Sequence, residues 1–143
     1  MIKPLTVKDK DRVIAIIREP KNEIGENYGL KVEERYYTNW EEVVKNGWCF
    51  KYVENNNILG FVIAGCDNVR VNIYDIEVVE EHRRKGIGSM LLKYILKLAN
   101  KKLKNGYVSL TTDTHNYLAI GFYINNKCKE LRAVNNVMFW GDV

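Results

Sequence analysis

Apolar positions along this chain recur with two periods. Between residues 48 and 79 they favour strands. "WCFKYVE" (48–54) and "ILGFVIAGC" (58–66) flank an asparagine-rich break and predict a hairpin. "RVNIYDIEVV" (70–79), rich in β-branched and aromatic residues, predicts a third long strand. Strict alternation there sets Asn72, Tyr74, Ile76 and Val78 on one face and Asp75 and Glu77 on the other. Over residues 89–104 the spacing is helical: Leu91, Leu92, Ile95, Leu96, Leu98 and Leu103 form a broad apolar face, with Lys93, Lys97, Lys101 and Lys104 opposite.

The remaining segments are shorter. "MIKPLTV" predicts a brief strand, and Thr6 is placed to cap a helix carrying Val13, Ile16 and Ile17 that Pro20 stops. Residues 20–37, with Gly25 and Gly29, predict a loop or a loop with a short helix. Thr38-Asn39-Trp40-Glu41 has the pattern of a capping box, starting a helix that runs to Asn46 and ends at Gly47. "YVSLTT" (107–112) predicts a strand, "HNYLAIGFYINN" (115–126) a short helix, and "CKELRAV" with "VMFW" a closing hairpin. The order β-α-α-β-β-β-α-β-α-β-β is that of an α+β or mixed α/β sheet with one strand–helix–strand crossover at its middle.

Composition narrows the classes. The 143 residues suit one domain over 1–143, with neither repeats nor linkers. Lys plus Arg number 22 against 18 Asp plus Glu, and a net charge of +4 without a basic patch argues against nucleic acid as a partner. The lysines of 93–104 stand without interleaved aromatic residues and predict a solvated face. Three cysteines at wide spacings and two histidines predict no metal site. Cys66 and Cys128, in apolar or strand-like surroundings, are expected to be small core residues in a reducing compartment. With no long apolar run and no leader pattern, the expectation is a cytoplasmic protein without a membrane partner.

The candidate chemistry lies in "EEHRRKGIGSML" (80–91), which joins the third strand to the long helix. The first amides of a helix have no internal partner and carry the positive end of its dipole. Gly86 and Gly88 allow close backbone approach, and Arg83, Arg84 and Lys85 add cations, so the stretch suits phosphate or pyrophosphate. It is neither a Walker loop nor a dinucleotide fingerprint, which need further residues. Taken alone, two glycines are equally compatible with an exposed turn.

Its surroundings are more specific. Arg83-x-x-Gly86-x-Gly88 after a strand and before a helix resembles the acetyl-CoA signature of the GNAT superfamily of N-acetyltransferases. "HNYLAIGFY", one strand later, resembles that family's second motif, an Asn followed by Ala and an aromatic-Tyr pair. The resemblance extends to the element order over nearly the whole chain. It implies a mostly antiparallel sheet of six to seven strands, flanked by about four helices and splayed at its central strands. It implies acetyl-CoA as co-substrate, with Arg83 opening the motif and the amides of Arg84, Lys85, Gly86, Ile87, Gly88 and Ser89 around the diphosphate. Ile76 and Val78 would meet the pantetheine arm, Asn116 would contact the arm, and Tyr123 would protonate the leaving thiolate. Asn116 also fits a plain helix cap and Tyr123 plain packing.

The implied reaction is direct acetyl transfer to an amine, which needs a base. Positions where relatives often carry glutamate hold Asn72 and Thr111, so a water held by Asn72 or Tyr74 takes that role in this reading, with a direct carboxylate as the alternative. Lys127 and Cys128 stand where relatives commonly have a Gly-aromatic pair. The alternative is a CoA-binding regulatory module with little or no catalysis. GNAT proteins are often homodimers, so a homodimer is among the implied arrangements.

Overall fold

The computed structural model describes residues 1–19, 39–103, 107–113, 121–123, 125–126, 129–132 and 136–142. In chain order these give β1 (Ile2–Pro4), a 3-10 turn (Val7–Asp9), α1 (Lys10–Ile17), α2 (helical over 39–46), β2 (Trp48–Glu54) and β3 (Asn57–Cys66). β4 (Arg70–Val78), a 3-10 turn (Glu80–His82), α3 (Ile87–Lys102), β5 (Tyr107–Asp113), β6 (Lys129–Arg132) and β7 (Asn136–Asp142) follow. Residues 121–123, within the predicted short helix, are helical.

The seven strands form one sheet in the order β1-β2-β3-β4-β5-β7-β6. Every pairing is antiparallel except β4–β5, which is parallel and is bridged by α3. The β2–β3 hairpin turns on Asn55 and Asn56, both at positive φ (52° and 63°), which matches the right-handed twist of the strands it joins. The local chemistry explains the helix ends. Thr6 and Asp9 close a cap in which the Thr6 N–H donates to Asp9 Oδ2 at 2.8 Å, but it opens the 3-10 turn ahead of α1 rather than α1 itself. α2 ends at Gly47, whose N–H donates to Val43 O at 3.0 Å; a Cβ there would lie 2.4 Å from Val43 O and 2.6 Å from Ala64 O, so only glycine fits. Thr38, the expected cap of α2, and Pro20 lie outside the described residues.

α3 starts two residues earlier than the predicted 89, because Gly86 in left-handed geometry serves as its N-cap and the motif's second glycine lies inside the helix. Its buried positions Ile87, Leu91, Leu92, Ile95 and Ala99 rest on the sheet. Each fully buried leucine or isoleucine there contributes roughly 1.5–3 kcal/mol of transfer free energy. Phe61 and Ile63 alternate to the other sheet face and are also fully buried, and α1 packs on β3 and β4. Both faces of the centre are therefore covered. Cys66 departs from expectation: as the last residue of β3 it is exposed, whereas Cys49 is buried and its thiol pushed up to about 11 by burial. Cys128 lies outside the described residues. Among the described residues no helix is long and apolar enough to cross a membrane.

Candidate functional site

β4 and β5 pair only over Arg70–Ile73 and Tyr107–Leu110. Beyond that rung β4 stays with β3 and β5 stays with β7, so the sheet opens between its two central strands. The opening coincides with a bulge. Ala64 pairs with Ile73 and Ile63 pairs with Asp75, which leaves Tyr74 as the extra residue.

The bulge overturns the strict alternation expected for this strand. Val71 and Ile73 share the side of Ala64, and Ile76 and Val78 pair with Val62 and Gly60 on that same side. It is the α3 face: a Cβ on Gly60 would lie 3.2 Å from Ile87 Cγ2 and 3.4 Å from Leu91 Cδ1. Asp75 and Glu77 pair with Ile63 and Phe61 and so lie on the opposite face, with Asn72. Tyr74 joins them, its hydroxyl 2.7 Å from where a Cβ on Gly65 would stand. Expected across the strand from Asn72 and Tyr74, the two carboxylates instead share their side, and Ile76 and Val78 turn towards α3.

The mouth of α3 has the features of an anion seat. The first intrahelical bond runs from Met90 N–H to Gly86 O at 2.9 Å, which leaves the amides of the first turn without a helical partner. Gly86 at φ 83° and Arg84 at φ 64° both adopt left-handed backbone, a turn that can gather successive N–H groups on one side. A Cβ on Gly86 would meet nothing within 4 Å, so its glycine is required by conformation. Gly88 sits in close quarters: a Cβ would lie 3.2 Å from the Phe122 ring, which would have to give by a few tenths of an ångström, and in ordinary contact with Val78 Cγ2 at 3.6 Å. Arg83 folds back, its Nε donating to Val78 O at 3.1 Å, while its Nη2 is buried with no hydrogen-bond partner among the described residues. A buried guanidinium donor in that state is poised for an oxygen acceptor. A diphosphate would fit this turn on three counts: gathered amides, space kept by glycine and an unused donor.

Around the gap, Asn72 Oδ1 accepts from the Ser109 hydroxyl at 3.2 Å, tying β4 to β5 at the penultimate rung before they part. Phe122 and Tyr123 form an edge-on ring pair at 5.2 Å, and Tyr123 is buried. Phe122, seated on Gly88, brings the second motif against the first. The helix that carries them ends where Asn126 bonds back to Phe122 O through its amide N–H and its side chain. Asn116, His115 and Lys127 lie outside the described residues.

Three features escape a reading of the sequence: the face held by Asp75 and Glu77, the Asn72–Ser109 bridge, and Glu19. The Glu19 carboxylate accepts from Glu80 N–H at 2.9 Å and ties the end of α1 to the turn before Arg83. The first had a signal in the sequence. Apolar residues stand at 71, 73, 76 and 78, and the step of three marks one inserted residue.

A family model described as "Acetyltransferase (GNAT) family" matches residues 11–126. No curated protein matches the sequence. Among solved structures the chain is similar to the PaiA N-acetyltransferase of Thermoplasma acidophilum in complex with coenzyme A, at TM-score 0.78 and 16% identity, covering 100% of this chain and 98% of that one. It is similar to Ard1 of Thermoplasma volcanium at TM-score 0.74 and 21% identity, covering 100% and 97%. Naa50 of Arabidopsis thaliana in complex with the bisubstrate analogue CoA-Ac-MVNAL gives TM-score 0.76 and 16% identity, covering 100% and 98%. At these identities the likenesses are of fold.

Proposed function

As the chain belongs to the GNAT acetyltransferase family, we propose that it moves the acetyl group of acetyl-CoA directly to a primary amine of a small molecule, peptide or protein. The observation that carries this reading is the parting of β4 from β5 next to an α3 mouth lined with helix amides that have no helical partner. In this reading the diphosphate rests on the amides from Arg84 to Ser89, and the buried Nη2 of Arg83 supplies a further donor. Gly86 and Gly88 keep side chains out of the seat. Ile76 and Val78, turned to the α3 face, flank the pantetheine arm as it enters the gap, and Asn116 is assigned to the same arm by its place in the second motif alone.

Transfer then needs three things: a polarised thioester carbonyl, a proton for the leaving sulfur and a proton acceptor for the amine. A main-chain N–H that β4 turns towards the gap beyond its last rung with β5 suits the carbonyl oxygen. Tyr123 is the acid, since a phenol holds its proton at neutral pH and yields it to a departing thiolate. Asn72 and Tyr74 line the acceptor side, with Asn72 held by Ser109. Similar solved folds include one with coenzyme A and one with a CoA–peptide conjugate, which supports the cofactor and leaves peptides among the acceptors.

Incubating the protein with acetyl-CoA and a panel of alkyl amines and free-amino-terminus peptides, with free thiol followed against acetylated product, tests the proposal. One thiol per acetylated amine is expected. Neither CoA binding nor thiol release with any acceptor overturns it, and CoA affinity without turnover would favour a regulatory CoA-binding module.

A further inference from the structure

Resting on the transfer proposed above, we infer that Glu19 is a positioning residue for the cofactor: its carboxylate caps the turn Glu80–His82 from outside and so sets where Arg83 meets the diphosphate. The inference starts from a carboxylate in an unfavourable place. Glu19 follows the C-cap of α1, where the helix dipole is negative, and its partner Glu80 is itself acidic. The anion seat lies a few residues beyond that partner, so a negative charge here repels what the seat would hold. Charge alone argues against a glutamate at this position, and its hydrogen bond argues for one.

That bond has a defined target. Glu80 opens the 3-10 turn after β4, and the first amides of a helical turn have no partner within it. Val79, the N-cap, supplies no side-chain bond. Glu19 Oε2, 61 residues away in the chain, accepts from Glu80 N–H at 2.9 Å in its place. The anchor behind it is firm. Glu19 N–H bonds back to Ile16 O at 3.2 Å, and α1 buries Val13, Ile16 and Ile17 against the sheet.

From Glu80 the restraint reaches Arg83 in one step. Glu80 O accepts from Arg83 N–H at 3.3 Å, while Arg83 Nε donates to Val78 O at 3.1 Å. Arg83 is thus tied by its backbone to the capped residue and by its side chain to the end of β4. The buried Nη2, with no partner among the described residues, takes its direction from those two ties. Without Glu19 the Glu80 amide turns to water, and the turn is free to shift against β4. The role is geometric, so a neutral carbonyl oxygen at the same reach serves as well as a carboxylate.

Three proteins and two acetyl donors test the assignment. Glu19→Ala should bind CoA at least about threefold more weakly than wild type by calorimetry, and Glu19→Gln within about twofold of wild type or tighter. With acetyl-CoA, Glu19→Ala should raise KM by the same factor and leave kcat within about twofold. S-acetylpantetheine has the thioester and the arm but no diphosphate, and all three proteins should use it equally. A Glu19→Ala affinity equal to wild type overturns the assignment, as does a Glu19→Gln that falls as far as Glu19→Ala. An equal loss on both donors also overturns it, because general damage to the fold would produce that pattern. Should Glu19→Ala not fold, Glu19→Asp, one methylene shorter, takes its place with the same outcomes. If wild type binds CoA but acetylates no amine, the transfer reading fails separately and the three affinities decide for Glu19. Wild type that binds no CoA ends both.

Discussion

Gly86 and Gly88 are both invisible to packing arguments made from sequence, yet they are glycine for different reasons. Gly86 has open space and a left-handed φ of 83°, whereas Gly88 is crowded by Phe122. Gly86→Ala is therefore expected to cost about 1–2 kcal/mol through backbone strain, measured as a lower denaturation midpoint with an unchanged denaturant slope. An unchanged midpoint would show that the turn relaxes. At Tyr123 the alternatives are packing and proton donation, and the residue is buried either way. Tyr123→Phe keeps the ring and removes only the hydroxyl. On the proposed reaction it should lower kcat roughly 100-fold and leave acetyl-CoA affinity unchanged, a split that a packing role would not produce.

At the scale of elements, the helices and strands with clean periodicity are legible in the sequence, and their special positions are not. The leucines of α3 announce the helix but place its start two residues late, because left-handed Gly86 leaves no trace in a hydrophobic pattern. β4 is equally plain as a strand, yet strict alternation misassigns its faces, although the spacing of Val71, Ile73, Ile76 and Val78 contains the inserted residue. An alternation rule applied through a bulge exchanges the two sides of everything beyond it. Near α1 the Thr6 cap is legible, but the partner on the sheet is not. Asp9 Oδ2 lies 2.8 Å from Lys51 Nζ on β2, an ion pair between residues far apart in the chain. Partial burial pushes the Asp9 carboxyl up, and the Lys51 and Thr6 hydrogen bonds outweigh it, so the group titrates below its ordinary value. A depressed carboxyl stabilises the fold above its unfolded pKa, near 3.9, and that contribution disappears as pH falls through the folded value. Asp9→Asn should thus unfold more easily than wild type at pH 7, by about 1 kcal/mol, and the difference should close in acid once the folded carboxyl is protonated. A gap that persists in acid would point to packing instead of charge.

For the whole molecule, the order of elements predicts the crossover, and the site arises from what the crossover does to the sheet. One parallel pair is set among antiparallel ones, and it holds for four rungs before its strands separate. No local pattern announces that separation, since it depends on β5 following β7 and β4 following β3. The anion seat depends on long-range packing in the same way. α3 rests its first turn on β3 at Gly60, where a Cβ would stand 2.8 Å from Glu77 O and 3.2 Å from Ile87 Cγ2. Backbone on one side and the helix on the other leave little room, so Gly60→Ala must lift the start of α3 or shift β4. Overpacking of this kind costs about 1–3 kcal/mol, and because Ile87 belongs to the amide mouth, acetyl-CoA affinity should fall at least about threefold. Ile95→Val, deeper along the same helix and fully buried, should cost roughly 0.5–1.5 kcal/mol without moving the mouth. Calorimetry at a temperature where both variants are folded separates the effects: a loss confined to Gly60→Ala ties cofactor affinity to how closely α3 lies on β3, and equal affinities would break that link.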